Sequence, residues 1–304
     1  MTQGSASKAP DAIGTEMGGL RVRLFARKLD QWWLLALPVF LFLGVFFVYP
    51  TSIILLRAFT EFDAPQQGGL DNLAWFLGGA ANRTILVRTF VVAASSTVLT
   101  SLIAFPYAYL MTLVGDRLRT AMLGIVLISM FFGILLRNFA WVVLLQYQGP
   151  LNDLVELAGM RRIRFLGSMP AVLMGMTHVL FPYMLLPLYS VLRGIDRRLV
   201  LAAQSLGATP QRAFWQVYVP LSTPGFVAGS LLVFVLALGF FITPAMLGSQ
   251  QQSLLSQLMF TQFDKTAAFG RAGAMALVLI VAATAFVVVG NAISRKNRAY
   301  ETSA

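Results

Sequence analysis

Cysteine is absent from the 304 residues, histidine occurs once, and only 12 residues are acidic. Without cysteine there is no disulfide and no thiolate metal site, and the redox compartment is left open. The lone histidine, His178, has no second histidine or carboxylate near it in sequence, which favours a hydrogen-bonded interior residue over a metal ligand or proton relay. The G-x-x-x-x-G-K-[ST] loop that cradles nucleotide phosphates is missing, so an ATP-driven process would need its engine in another chain. No paired acid and base, activated nucleophile or metal constellation marks an enzyme. Nucleic acid is set aside as a partner despite a net charge of +11, because there is no RNA-binding motif, zinc-ligand spacing or basic stripe interleaved with aromatics.

Charge of either sign is scarce too. Charged residues make up 12% and hydrophobic ones 58%, against about 25% and about 45–50% in a soluble domain. The apolar residues gather in runs of about 20, the length that crosses a hydrocarbon core of about 30 Å. The expected architecture is an all-α polytopic membrane helix bundle of about six spans, near residues 32–59, 85–114, 120–145, 170–192, 225–247 and 272–293. Trp32 and Trp33 stand where aromatic rings prefer the membrane interface. The turn Gly115-Asp116-Arg117 makes the second and third spans antiparallel neighbours. Pro38, Pro50, Pro182, Pro187 and Pro244 fall inside spans, where neighbouring helices must satisfy the carbonyls they free. Segment 1–31 reads as a cytoplasmic tail before an uncleaved anchor, since the apolar run behind it is too long for a signal-peptide core. Residues 32–294 form the membrane domain and 295–304 a second cytoplasmic tail.

Basic residues fix the orientation. With the N-terminus inside, Lys8, Arg21, Arg23, Arg27, Lys28, Arg117, Arg119, Arg193, Arg197, Arg198, Arg212, Arg295, Lys296 and Arg298 all lie on the cytoplasmic side. The cluster Arg161, Arg162 and Arg164 falls outside and runs against the trend. Aspartate and glutamate lie outside the spans, which argues against a proton- or sodium-coupled carrier, whose spans usually hold carboxylates.

Segment 196–220, between the fourth and fifth spans, is helical in pattern yet too polar to span. Leu199, Ala202, Ala203 and Leu206 recur on one face. Asp196 is the expected N-cap and Gly207 the residue just past the helix end. Thr209-Pro210 then opens a second helix carrying Phe214, Val217 and Tyr218 on one side, which Pro220 is expected to end. Two short capped rods joined at a glycine make an elbow suited to a groove on another protein. A helix pair lying on the membrane surface would use the same composition.

Leu201-Ala202-Ala203, three residues, Gly207, nine residues, then Val217-Tyr218-Val219-Pro220 resembles the signature loop of binding-protein-dependent ABC importer permeases: Glu-Ala-Ala, three residues, Gly, nine residues, Ile-x-Leu-Pro. Leu201 stands in place of the glutamate. Further blocks are similar to the spermidine/putrescine-type branch: Arg137-Asn138-Phe139-Ala140-Trp141, Gly149-Pro150-Leu151-Asn152, Leu186-Pro187-Leu188-Tyr189, Pro224-Gly225, and Gly239-Phe240-Phe241-Ile242-Thr243-Pro244 with Gly248.

The resemblance implies a multi-pass inner-membrane subunit that pairs with a homologous second permease, two ATPase subunits and an extracytoplasmic solute-binding protein. ATP and Mg²⁺ would sit in the ATPase subunits, with no cofactor on this chain. Asp196, Ala202, Ala203, Gly207, Ala208, Pro210, Phe214 and Pro220 are the implied ATPase-coupling residues, and a polyamine is the implied solute. Arg137, a charge at membrane depth, is a functional candidate on physical grounds, either as a structural tie or as a path residue. Asn138, Trp141, Phe240 and Thr243 join it as candidates for the path. Gly225 and Gly229 form a small-xxx-small pair read as a helix-packing site.

Overall fold

The computed structural model describes residues 36–63 and 68–301, with side chains through residue 290. The tail at 1–31, Trp32 and Trp33, and the side chains of Arg295, Lys296 and Arg298 therefore lie outside the described residues. All regular structure described is helical. The chain divides into two compact units, Met1–Leu56 and Arg57–Ala304.

Helix α1, Ala36–Thr60, is apolar and long enough to span. Its Gly44–Val48 turn is widened to a π-helical one, with the Tyr49 N–H reaching the Gly44 carbonyl, just before Pro50. Proline lacks an N–H and its ring crowds the carbonyl four residues back, so a wider preceding turn accommodates it without breaking the helix.

In the second unit, α2 (Asp71–Gly78) leads into α3 (Ala80–Leu113), then α4 (Asp116–Phe131), α5 (Ile134–Leu145), α6 (Pro150–Leu157) and α7 (Met169–Gly194). Next come α8 (Arg197–Ser205), α9 (Pro210–Leu238), α10 (Ile242–Leu247), α11 (Leu255–Asp264) and α12 (Phe269–Glu301). With α1, the helices α3, α7, α9 and α12 are long and apolar enough to cross a membrane, and α4 with the segment after it makes a sixth crossing if that bent pair counts as one.

Two expectations need correction. The third span is not one straight helix: it bends by 97° between α4 and α5. Phe132 (ψ 123°) and Gly133 (ψ 145°) both leave the helical region there, and Gly133 is the only local sign of a break. The fifth span does not start at 225, and Pro220 does not end the helix before it. α9 is continuous from Pro210 to Leu238, because a π turn at Phe214–Tyr218, closed by the Val219 N–H to the Phe214 carbonyl, precedes Pro220 as the one in α1 precedes Pro50. The chain leaves the helix only at Gly239-Phe240-Phe241 and resumes as α10.

Helix α7 is the centre of this unit, packed between α3 and α9. Met176, Leu180, Met184, Leu185 and Leu188 are fully buried on it. The facing stripe of α3 is small and hydroxylated: Ser96, Thr97, Thr100 and Ser101. In a medium without water these hydroxyls must bond within the protein. Thr97, Thr100 and Ser101 donate to the carbonyls of Ala93, Ser96 and Thr97 at 2.8, 2.6 and 2.7 Å, which leaves a smooth, small-residue surface against the Met-rich helix.

Glycines let α9 close on α7. A Cβ on Gly229 would stand 2.9 Å from the Met184 carbonyl oxygen, and one on Gly225 3.2 Å from the Leu188 Cα. These are backbone atoms and cannot swing aside. Gly229→Val is therefore expected to destabilise the bundle by about 1–3 kcal/mol, read as a lower midpoint of thermal unfolding in detergent, while Gly124→Val, where a Cβ meets nothing within 4 Å, leaves it unchanged.

Candidate functional site

The elbow at 196–220 is built by local capping. The Asp196 carboxylate accepts the Arg198 N–H at 2.9 Å and opens α8. At the other end the Ala208 N–H reaches the Ala203 carbonyl at 3.1 Å and the Gly207 N–H reaches that of Gln204 at 3.0 Å. This paired closure is a Schellman turn, and it requires a left-handed residue, supplied by Gly207 at φ +93°. Thr209 then accepts the Arg212 N–H at 3.3 Å, with Pro210 in the first helical position. Leu201, in place of the signature glutamate, is 60% exposed.

The two arms of the elbow face different ways. On α8 no residue is buried, and Leu206 is 90% exposed, with Leu199 and Ala202 also open. The start of α9 instead turns inward. Phe214 and Tyr218 stack at 5.6 Å and both meet Tyr109 of α3 edge-on, at 5.2 and 5.1 Å. Phe105 adds a fourth ring, and the Thr112 and Tyr218 hydroxyls lie 3.5 Å apart. At about 1.5 Å per residue, the 34 residues of α3 extend about 51 Å, well beyond a hydrocarbon core of about 30 Å, so the helix outruns the core. The elbow is thus clamped to a main span by aromatic faces while presenting an unpartnered apolar face outward. Spacing in the sequence singles out Phe214 and Tyr218. Ring contacts across helices leave no periodic signal, so nothing local marks their partners Phe105, Tyr109 and Thr112.

The path candidates gather at the two helix breaks. Asn138 on α5 and Thr243 on α10 are both fully buried. The Thr243 hydroxyl donates to the Asn138 Oδ1 at 2.8 Å, and the Asn138 amide donates to the Ile134 carbonyl at 3.0 Å. Gly175 of α7 completes the contact, since a Cβ there would run into Leu247 and stand 2.7 Å from the Thr243 methyl. One hydrogen bond therefore ties together the segments that follow the two breaks. Phe240 lies in the second break, where its carbonyl accepts the Ser256 hydroxyl at 2.7 Å. Arg137 is half-buried, and its Nε and one terminal nitrogen have no hydrogen-bond partner.

Trp141 faces a different space. Its indole N–H donates to His178 Nδ1 at 3.1 Å, and both rings line a pocket of about 690 Å³ with Leu99, Tyr107, Leu173 and Phe181. His178 is hydrogen-bonded as expected but is not an interior residue: it is exposed along this pocket. Among the described residues no cluster of His, Asp and Glu could hold a metal.

The basic cluster also resolves. Arg162 donates to Glu156 at 2.7 Å, to Asp153 at 3.0 Å and to the Tyr147 carbonyl at 3.1 Å, closing the loop after α6. Its hydrogen bond to Glu156 raises an already high guanidinium pKa. Arg161 and Arg164 remain exposed. Nearer the helix ends, Arg57 pairs with Glu61 at 3.6 Å and lies over the Phe269 ring, while Arg88 donates to the Gln251 carbonyl at 2.6 Å.

Residues 32–298 match the family described as the binding-protein-dependent transport system inner membrane component. The chain belongs to this family. It is 33% identical over 196 residues, 63% of its own length and 68% of the relative's, to the spermidine/putrescine transport system permease protein PotB of Haemophilus influenzae. The PotB protein of Escherichia coli strain K12 is 27% identical over 201 residues, 65% of this chain and 73% of the relative. A chain in the crystal structure of a bacterial ABC transporter involved in the import of the acidic polysaccharide alginate superposes with a TM-score of 0.70 at 20% identity, covering 90% of this chain and 99% of that one, and shows the shared fold. Membership makes this chain a multi-pass inner-membrane transport component rather than an enzyme.

Proposed function

We propose that this chain is the permease subunit of an ATP-driven importer of polyamines such as spermidine or putrescine. The single observation that carries the coupling part is the elbow: capped at each end, clamped to α3 by Tyr109, Phe214 and Tyr218, and open along Leu199, Ala202 and Leu206. Burying one leucine stabilises an interface by about 1.5–3 kcal/mol, so this face supplies adhesion without the signature glutamate. Two ATPase subunits carrying ATP and Mg²⁺ would each grip one such elbow, this chain's and that of a homologous second permease. Closing the ATPase pair would then move α9 and α3 together, because the aromatic contacts tie the start of α9 to α3. A solute-binding protein would deliver cargo to the opposite, extracytoplasmic face, with both termini of this chain in the cytoplasm.

Polyamine rests on the identity to two PotB proteins. In this reading Arg137 and Phe240 border the path, the Asn138–Thr243 bond holds the breaks that shape it, and Trp141, turned toward His178, lies outside it. A guanidinium beside the path would repel a cationic solute at rest and limit leak. The complete importer, reconstituted in vesicles with its binding protein, is expected to take up labelled spermidine only when ATP is supplied. Uptake of a different solute alone would overturn the polyamine assignment, and ATP-independent uptake would overturn the coupling.

A further inference from the structure

A second polar space lies beside the elbow, apart from the path candidates. It is a pocket of about 250 Å³ where the end of α3, the first turn of α4, the end of α7, the start of α8 and the start of α9 converge. Three arginines line it: Arg119, Arg193 and Arg197. So do the hydroxyl-bearing residues Thr112, Tyr189 and Tyr218.

The charges are unbalanced. Arg119 is already engaged, donating to Asp116 at 2.7 Å and to the Met111 and Val114 carbonyls at 3.0 Å each, which caps the end of α3. Among the described residues neither Arg193 nor Arg197 has an ion-pair partner. The nearest carboxylate in sequence, Asp196, is occupied in capping α8. The second sign is Tyr189. It is only 6% exposed, it lines the pocket, and its buried hydroxyl has no hydrogen-bond partner. A buried donor left unmade costs about 1–3 kcal/mol, and a ligand oxygen in this pocket would satisfy it.

We propose that this pocket binds a phosphate group, carried either by an anionic phospholipid headgroup or by a soluble phosphate. Each free guanidinium offers a planar fork of donors matched to phosphate oxygens, and Tyr189 supplies a further donor from the buried side. At about 250 Å³ the pocket has room for a phosphate and its remaining hydration. The occupant would bridge α7 and α8 to the start of α9, across the joint through which the elbow meets the spans. Its binding can be read without transport, so the proposal stands or falls separately from the assignment of the solute.

The test uses the assembled importer in phosphatidylcholine nanodiscs, with thermal unfolding as the readout. Inorganic phosphate is titrated at constant ionic strength against chloride, and in a parallel arm phosphatidylglycerol replaces part of the lipid. Stabilisation by phosphatidylglycerol alone assigns a headgroup, and stabilisation by inorganic phosphate assigns a soluble ligand. The double variant R193Q/R197Q is expected to weaken that binding at least tenfold, whereas Arg198→Gln, equally exposed but outside the pocket lining, leaves it unchanged. Tyr189→Phe is expected to weaken binding severalfold without lowering the midpoint of the unliganded complex. The proposal is overturned if neither phosphate source stabilises the wild-type complex, if chloride does so equally, or if R193Q/R197Q keeps the full effect.

Discussion

Gly207→Val is expected to lower ATP-driven uptake about tenfold while leaving the thermal stability of the membrane bundle intact. A Cβ at Gly207 meets nothing within 4 Å, so crowding is not the cause. The cost is conformational: at φ +93° a side chain is strained, by about 1–2 kcal/mol for an ordinary L-residue and more for a β-branched one. That energy exceeds what the Schellman turn can absorb in place, because α8 has no buried residue to hold it. The turn relaxes, and the angle between α8 and α9 is lost. A shift of about 1.4 kcal/mol is a tenfold change in the population of the competent elbow. The bundle is spared because Gly207 is exposed and stands outside the buried cluster that Met176, Leu180 and Met184 share with Leu192 and Tyr218. Asparagine tolerates left-handed backbone better than valine, so Gly207→Asn is expected to retain much of the uptake. Uptake and ATP hydrolysis measured on the same vesicles separate uncoupling from loss of assembly.

The second large effect is expected at the bond between the breaks. Asn138→Leu removes the acceptor for the Thr243 hydroxyl and strands that hydroxyl in a site with no exposed surface. Removing one partner of a buried bond costs more than removing both, and no water is at hand within the bilayer to replace it. Asn138→Leu and Thr243→Val are each expected to destabilise the bundle and depress uptake, and the double variant to recover part of both losses. Inter-helix hydrogen bonds in membranes show coupling energies of about 0.6 kcal/mol on average and up to about 1.7 kcal/mol. This bond, dry and bracing two breaks at once, is expected near the upper figure. A double-mutant cycle on unfolding in detergent measures it, and strict additivity would show that the two residues act independently.

Much of the fold is legible in the sequence because hydrophobic length carries it. The runs at 85–114 and 170–192 appear as α3 and α7 within a few residues. The elbow is legible because caps are local: Asp196, Gly207 and Thr209-Pro210 each announce a helix end from their own chemistry, and each does so in the structure. Features that depend on contacts between distant segments are not. The 97° bend after Phe131 carries no stronger mark than Gly133. Pro220 reads as a stop, since a π turn that absorbs a proline has no sequence signature of its own. Asn138 and Thr243 each stand out singly, 105 positions apart, and only folding joins them. Gly175, Tyr109 and Ser256, which complete these sites, give no periodic or motif signal.

Absence of cysteine turns the central claim into a clean experiment. Leu206→Cys gives the chain a single thiol on the exposed tip of the elbow, where the native side chain is 90% exposed. In the assembled importer, a short bifunctional thiol-to-amine crosslinker is expected to join position 206 to an ATPase subunit, with a yield that changes when ATP is bound. A thiol introduced by Ile128→Cys on α4, exposed but away from the elbow, is expected to give no such product. Coupling through the elbow would be contradicted if position 206 gave no ATPase product and its thiol reacted with maleimide equally fast with and without the ATPase subunits.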